Sequence, residues 1–218
     1  MMRPGLVIFD CDGVLVDTEG VGNRRLAQLL TQAGYPIEYE ACRRRFEGMS
    51  MKLVQAEVEA GGIVLGEDFV ERWNAALPEL FAGGVDEVPG VRDFVGTVRT
   101  SGVPYCVASS ARVSKMHITL GHTGLLPFFE HAMFSASMVP RGKPFPDLFL
   151  HAADAMSVAP SGCVVIEDSV AGTKAGRAAG MTVYSYAGNA FADREALAAA
   201  GGIVFEDMGD LPGLIRLG

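Results

Sequence analysis

Positive charge is in short supply in this sequence. Eighteen Lys and Arg face 26 Asp and Glu, a net charge of -8 over 218 residues. That balance excludes general affinity for nucleic acid or for an anionic membrane surface, so neither partner is expected. An anionic ligand would have to be drawn in locally, by a metal ion and a few placed cations. Cysteine is scarce as well. Cys11, Cys42, Cys106 and Cys163 form no CxxC pair, and three of them sit in or beside apolar, strand-like runs. They read as small buried hydrophobes, which fits a reduced cytoplasm better than a disulfide framework. No apolar run is long enough to span a bilayer. Asp10 and Asp12 interrupt the N-terminal apolar stretch, so no signal peptide is expected and a cytoplasmic location is. The four histidines, His117, His122, His131 and His151, show no metal-ligand spacing. Internal repeats and low-complexity segments are lacking too.

What is present is a folded chain: 49% of the residues are apolar, and the length allows one or two domains. Apolar, β-branched runs recur at Leu6–Phe9, Val103–Ala108, Ala132–Phe134, Cys163–Ile166 and Thr182–Tyr186. Helical patterns separate most of them. One is expected over 144–155, with Pro144 at its start, and one over 169–179, with Ser169 as N-cap and Gly180 as the stop. This alternation predicts an α/β fold, a Rossmann-like, doubly wound and mostly parallel sheet. One region breaks it. Residues 19–86 show only helical patterning, with helices expected near 20–33, 38–47, 50–61 and 66–82. They read as a helical cap domain (18–86) inserted into a catalytic core (1–17 and 87–218), with Gly83-Gly84 and Pro89-Gly90 at its return.

The most informative segment is Asp10-Cys11-Asp12-Gly13, followed by Asp17-Thr18, after the run Leu6–Phe9. Two carboxylates two residues apart on extended chain share one side, at the sheet edge where open α/β sheets bind ligands. Like charges that close are costly unless something binds there. A plain polar turn is one reading. A calcium loop is another, but it needs glycine sixth and Glu twelfth, and here glycine is fourth and Val21 twelfth. The third reading is a magnesium site with an aspartate nucleophile.

The pattern DxDGxxxDT after an N-terminal strand resembles the first motif of the haloacid dehalogenase superfamily of phosphotransferases. Three further segments resemble its later motifs in order: Val107-Ala108-Ser109-Ser110, Lys143-Pro144 and Val164-Val165-Ile166-Glu167-Asp168-Ser169. The chain is most similar to the β-phosphoglucomutase-like branch, and there to sugar-phosphate phosphatases of the 6-phosphogluconate phosphatase kind. The resemblance implies a helical cap closing over the site, and an Asp10 nucleophile that forms an aspartyl-phosphate. Asp12 is then the general acid and base, a residue the dehalogenase branch lacks. Mg2+ is the expected cofactor, held by Asp10, the Asp12 carbonyl and Asp168, with Glu167 as a further ligand, direct or through water. Ser109, the Ser110 N–H at the start of the next helix, and Lys143 would bind the phosphoryl group.

The mutase branch carries a His four residues beyond its Asp-Thr; Gly22 stands there in this chain. Hydrolysis is therefore expected over phosphoryl transfer within a sugar phosphate, with a mutase or a non-catalytic sugar-phosphate binder as the alternatives. The expected partner is a small phosphorylated metabolite, and the expected state a monomer. For substrate recognition Arg45, Lys52 and Arg112 are singled out. Arg45 and Lys52 would hold a second anionic or hydroxyl-rich end, as a sugar acid phosphate presents. Gly172-Thr173-Lys174 lacks P-loop spacing, and Ser109-Ser110 lacks GxSxG context.

Overall fold

The computed structural model describes residues 3–46 and 48–217. In chain order the elements are β1 (Leu6–Phe9), β2 (Val16–Asp17), α1 (Glu19–Gln32), α2 (Tyr39–Phe46), α3 (Met51–Ala60), α4 (Phe69–Leu80) and β3 (Asp86–Glu87). There follow α5 (Val91–Ser101), β4 (Tyr105–Ser109), α6 (Val113–Thr123), α7 (Leu126–Phe129), β5 (Met133–Ser135) and α8 (Asp147–Ala155). The chain ends with β6 (Cys163–Glu167), α9 (Val170–Ala178), β7 (Thr182–Tyr186), α10 (Arg194–Ala199), β8 (Ile203–Phe205) and α11 (Leu211–Leu214).

Six strands form one parallel sheet in the order β5-β4-β1-β6-β7-β8. β1 is buried along its whole length because helices cover both faces of the sheet. Its alternate residues divide between two cores. Val7 and Phe9 pack with Phe94 of α5 and Met116 of α6, whereas Leu6 and Ile8 pack with Phe149 of α8 and Ala175 of α9. From β1 the chain first fills one side of the sheet, through β4 and β5. It then crosses back to the other side at β6. The carboxyl ends of β1, β4 and β6 meet at that reversal, the crevice where such sheets bind ligands.

The helix expected from Pro144 begins three residues later, at Asp147. The Phe145 N–H closes a turn onto the Gly142 carbonyl, 3.0 Å, and Pro146 becomes the N-cap. Strands β2, β3 and β8 are only two or three residues long, too short for a period of two to be read.

Helices α1–α4 build a core of their own, with Leu26, Leu30, Phe46, Val54, Trp73 and Leu77 buried together. Ser50 caps α3, its hydroxyl accepting from the Leu53 N–H. The chain leaves and re-enters the sheet body through the antiparallel β2–β3 ribbon, in which Val16 faces Glu87 and Asp17 faces Asp86. Among the described residues no helix is long and apolar enough to cross a membrane. All four cysteines are free and buried.

Candidate active site

Beyond Phe9 the chain turns back on itself. The Cys11 carbonyl accepts from the N–H groups of Leu15 (2.9 Å) and Val16 (3.0 Å), and the Gly13 N–H donates to the Val16 carbonyl (2.8 Å). Gly13 has φ +77°, and a Cβ there would lie 1.8 Å from Asp168 Oδ2. Glycine is thus demanded twice, by the left-handed backbone and by the approach of the Asp168 carboxylate. The turn brings Asp10 and Asp12 to a cavity of about 490 Å³, which Ser109, Ser110 and Asp168 also line.

Asp10 is almost wholly buried, and so is its partner Lys143. The Lys143 ammonium donates to Asp10 Oδ1 (2.5 Å) and to Glu167 Oε1 (2.6 Å), and lies over the Phe149 ring. The other oxygen of Glu167 accepts from the Asp168 N–H (2.9 Å), the Ser169 N–H (2.8 Å) and the Ser169 hydroxyl (2.9 Å). Both oxygens of Glu167 are thereby engaged. Its work is to position Lys143 and the 168–169 backbone, which places Asp168 at the mouth of the cavity. Close approach is needed behind it too: a Cβ on Gly172 would stand 1.7 Å from Glu167 Oε1.

Burial pushes the Asp10 carboxyl up to about 7, against the pull of Lys143 and with Glu167 and Asp12 adding to the rise. Burial alone would push the Lys143 ammonium down, but Asp10 and Glu167 outweigh it, and the net shift is upward. Asp12 has a different neighbourhood. Its Oδ1 accepts from the Thr18 hydroxyl (2.5 Å) and from Lys115 Nζ (2.8 Å). Lys115 is a functional candidate that the sequence reading missed. It lies on α6, six residues past Ser109, and only the packing of α6 against the β1 end reveals it.

Four carboxylates (Asp10, Asp12, Glu167, Asp168) thus face two ammonium groups, Lys143 and Lys115. The surplus of negative charge suits a divalent cation. Ligand oxygens of Asp10, Glu167 and Asp168 lie within 4.8 Å of one another, and the side-chain-free Gly13 keeps the space beside Asp168 clear. An all-oxygen set of this kind fits a hard cation.

Ser109 ends β4, buried, and its hydroxyl accepts from the Ala111 N–H (3.1 Å), with its own proton available to donate. The Ser110 N–H does not begin a helix as expected, because α6 starts only at Val113; Ser110 lies in the preceding turn. Its hydroxyl donates to the Gly48 carbonyl (2.8 Å), tying the helical insertion to the sheet body. Gly48 is pressed against the sheet body, since a Cβ there would meet Ser169 Oγ at 2.2 Å. Arg112 lines the cavity, its guanidinium bound by Glu71 of α4 through two hydrogen bonds. Lys52 lines it as well. Arg45 does not. Its Nε donates to Glu57 (2.7 Å), and the guanidinium stacks over Tyr35 at the outer surface of the helical insertion. The Arg45–Lys52 pair expected from the sequence is therefore not formed.

A family model described as a haloacid dehalogenase-like hydrolase matches residues 4–180. The 6-phosphogluconate phosphatase of Escherichia coli (strain K12) is 31% identical over 188 residues, which cover 85% of this chain and 84% of that protein. A fructose-1-phosphate phosphatase of the same organism is 30% identical over 178 residues, 80% of this chain and 92% of that one. The crystal structure of a conserved haloacid dehalogenase-like protein of unknown function from Agrobacterium tumefaciens str. C58 is similar over 97% of both chains, with a TM-score of 0.79 and 36% identity.

Proposed function

Because this chain belongs to the haloacid dehalogenase-like hydrolases, we propose that it hydrolyses small phosphate monoesters through an aspartyl-phosphate on Asp10. The observation that carries the reading is Asp10 itself. It is a buried carboxylate at the end of β1, clamped by Lys143 and opening on a cavity shared with Asp12, Ser109 and Asp168.

In this reading an Asp10 oxygen attacks phosphorus as the ester P–O bond breaks. Asp12 gives its proton to the departing alcohol oxygen and then takes one from the water that attacks the aspartyl-phosphate. Thr18 and Lys115 hold Asp12 in place for both transfers. Ser109 donates to a phosphoryl oxygen, and Lys143 shields Asp10 from the incoming anion. Asp10, the Asp12 carbonyl and Asp168 would hold Mg2+, which when bound supplies charge neutralisation at the phosphoryl oxygens. Helices α1–α4 act as a cap over the core, with residues 14–17 and 83–86 as hinges, so that water is excluded during turnover and product can leave.

Sugar and sugar-acid phosphates are the substrate class that the named relatives suggest. Hydrolysis is favoured over a mutase reaction because Gly22 has no side chain to move a proton. The test is release of inorganic phosphate from p-nitrophenyl phosphate with Mg2+, after chelation, and after Mg2+ is restored. Activity that vanishes and returns is expected. Full turnover in excess chelator would remove the metal from the account, and no turnover at all would leave a binding protein. Conversion of a hexose 1-phosphate to its 6-phosphate without phosphate release would favour the mutase.

A further inference from the structure

The two oxygens of Asp12 are not alike. Oδ1 accepts from the Thr18 hydroxyl at 2.5 Å and from Lys115 Nζ at 2.8 Å. A carboxyl oxygen has about two lone-pair sites, so Oδ1 is filled. Oδ2 accepts no hydrogen bond among the described residues, and the Asp12 carboxyl, 18% exposed, lines the cavity. One oxygen is held and the other faces the place where a substrate would sit.

Lys115 reaches Oδ1 because of its place on α6. Met116, Thr119 and Leu120 are wholly buried, at the spacing by which a helix turns one face inward. Lys115 stands one turn before Thr119 on that side, and its side chain is only 15% exposed. Its ammonium also lies over the Phe81 ring, 5.7 Å from the centroid. Phe81 ends α4 and is buried in the core of the helices, so the hold on Asp12 is completed from the helical insertion. Stability gives no reason for a charge at this place. The attraction of a pair held largely out of water is offset by the desolvation of both partners, and an apolar side chain of similar length would pack as well. Lys115 also lies outside the four motif segments. What distinguishes it is the atom that it binds.

Resting on the phosphatase reading, we propose that Lys115 is a positioning residue that, with Thr18, occupies Oδ1 and so makes Oδ2 the oxygen through which Asp12 moves protons. The proton that Asp12 carries sits on Oδ2, because Oδ1 has no free site. As the ester P–O bond breaks, the Oδ2–H proton passes to the alcohol oxygen and Asp12 is left a carboxylate. Oδ2 then takes a proton from the water whose oxygen bonds to phosphorus, the bond between phosphorus and Asp10 breaks, and Asp10 is released as a carboxylate. Without Lys115 the carboxyl can turn about its Cβ–Cγ bond, whose wells are broad, and either oxygen can carry the proton. The acid is then present but misaimed.

Two aryl esters of similar shape separate the aim of the acid from the architecture around it. p-Nitrophenol leaves without an acid, whereas phenol, like the tyrosine hydroxyl with its ordinary value of about 10, needs the proton. Single-turnover release of each phenol, with enzyme and Mg2+ in excess, reads the first transfer alone. Lys115→Met should slow phenyl phosphate at least about tenfold and p-nitrophenyl phosphate less than about threefold. Asp12→Asn should show the same split more strongly, and adding Lys115→Met to it should change neither rate further. Thermal melting checks that each variant is folded. Lys115→Gln, which keeps a shorter, uncharged donor, should show a smaller split, and it carries the test if the methionine variant does not fold. Equal losses on both esters, or none on either, overturn the proposal, since a merely structural lysine slows both alike. An additive loss on the Asp12→Asn background overturns it too, because Lys115 would then act on the substrate and not through Asp12. In each of these cases phosphate release by the parent protein leaves the phosphatase reading standing. A parent protein that releases phosphate from neither ester refutes that reading and this one together.

Discussion

Lys143→Met removes one charge from the centre of the site while keeping most of the side chain's length. In the native protein the ammonium is 1% exposed and bridges Asp10 at 2.5 Å and Glu167 at 2.6 Å. Taking it away leaves two buried carboxylates facing each other with nothing between them. Breaking a buried pair by removing one partner costs about 3–5 kcal/mol, because the remaining charge is uncompensated. The chain can reduce that cost by protonating Asp10. Its carboxyl already sits at about 7 in the native fold, above the ordinary 3.8. Losing Lys143 moves it further up. A carboxyl raised on folding binds more protons in the native state than in the unfolded one, so stability falls as pH rises between the two values. The penalty of Lys143→Met should therefore be larger at about pH 7.5 than at about pH 5. Adding Glu167→Gln should restore part of it, by leaving one carboxylate instead of two. Urea denaturation of the parent, Lys143→Met, Glu167→Gln and the double variant at both pH values, without divalent metal, measures all of this. A Lys143→Met protein within about 1 kcal/mol of the parent at both pH values would show that the ammonium does not clamp the two carboxylates.

Three further outcomes follow from the same geometry. In the proposed metal site a proton and a divalent cation would compete for Asp10, so apparent Mg2+ affinity should rise toward pH 7, by up to about tenfold per unit, and level off above it; a flat calorimetric titration series across that range contradicts the competition. Gly13→Ala forces a Cβ into the Asp168 carboxylate at a left-handed backbone position, and should weaken Mg2+ binding at least about tenfold with a loss of stability of about 1–3 kcal/mol; unchanged affinity would show that Asp168 is not a ligand. Arg45→Ala should leave KM within about twofold for every substrate, because what it breaks is an exposed pair with Glu57 and stacking over Tyr35 and Phe46, none of which puts the guanidinium on the cavity lining; a large rise confined to acidic substrates would bring Arg45 back into recognition.

The parallel sheet and the run of four helices were both legible in the sequence. Short, β-branched apolar runs such as Leu6–Phe9 and Cys163–Ile166, bounded by turn residues, read as buried strands, and Glu19–Leu80 offers helical period and nothing else. The segments around Asp10, Ser109 and Glu167 could be named because each combines a strand end with a polar residue, and Lys143 only because Lys143-Pro144 stands in order among the motifs the chain resembles. What they do to one another could not be read there. That Glu167 spends both oxygens on Lys143 and the backbone of 168–169 is a fact of three dimensions. Lys115 has no local signature, since a lysine on an amphipathic helix reads as a solvated charge until α6 is docked beside Asp12. Arg45 shows the converse: the structure turns it to Glu57, off the cavity lining. Its position near the end of α2 suggested the site, but the partner that claims it, Glu57, lies on the next helix, and no periodicity ranks one carboxylate against another.

In the proposed reaction Asp10 carries the phosphoryl group, and trapping that group tests its role most directly. p-Nitrophenol leaves without an acid, so an Asp12→Asn protein should still accept the phosphoryl group and then be slow to release it to water. Rapid acid quench of that variant with p-nitrophenyl phosphate and Mg2+, followed by peptide mass spectrometry, should find one added phosphoryl group on the peptide containing Asp10. The added Asp10→Asn change should abolish it. A phosphoryl group on any other residue, or an unlabelled enzyme through a full burst of p-nitrophenol, would contradict the account.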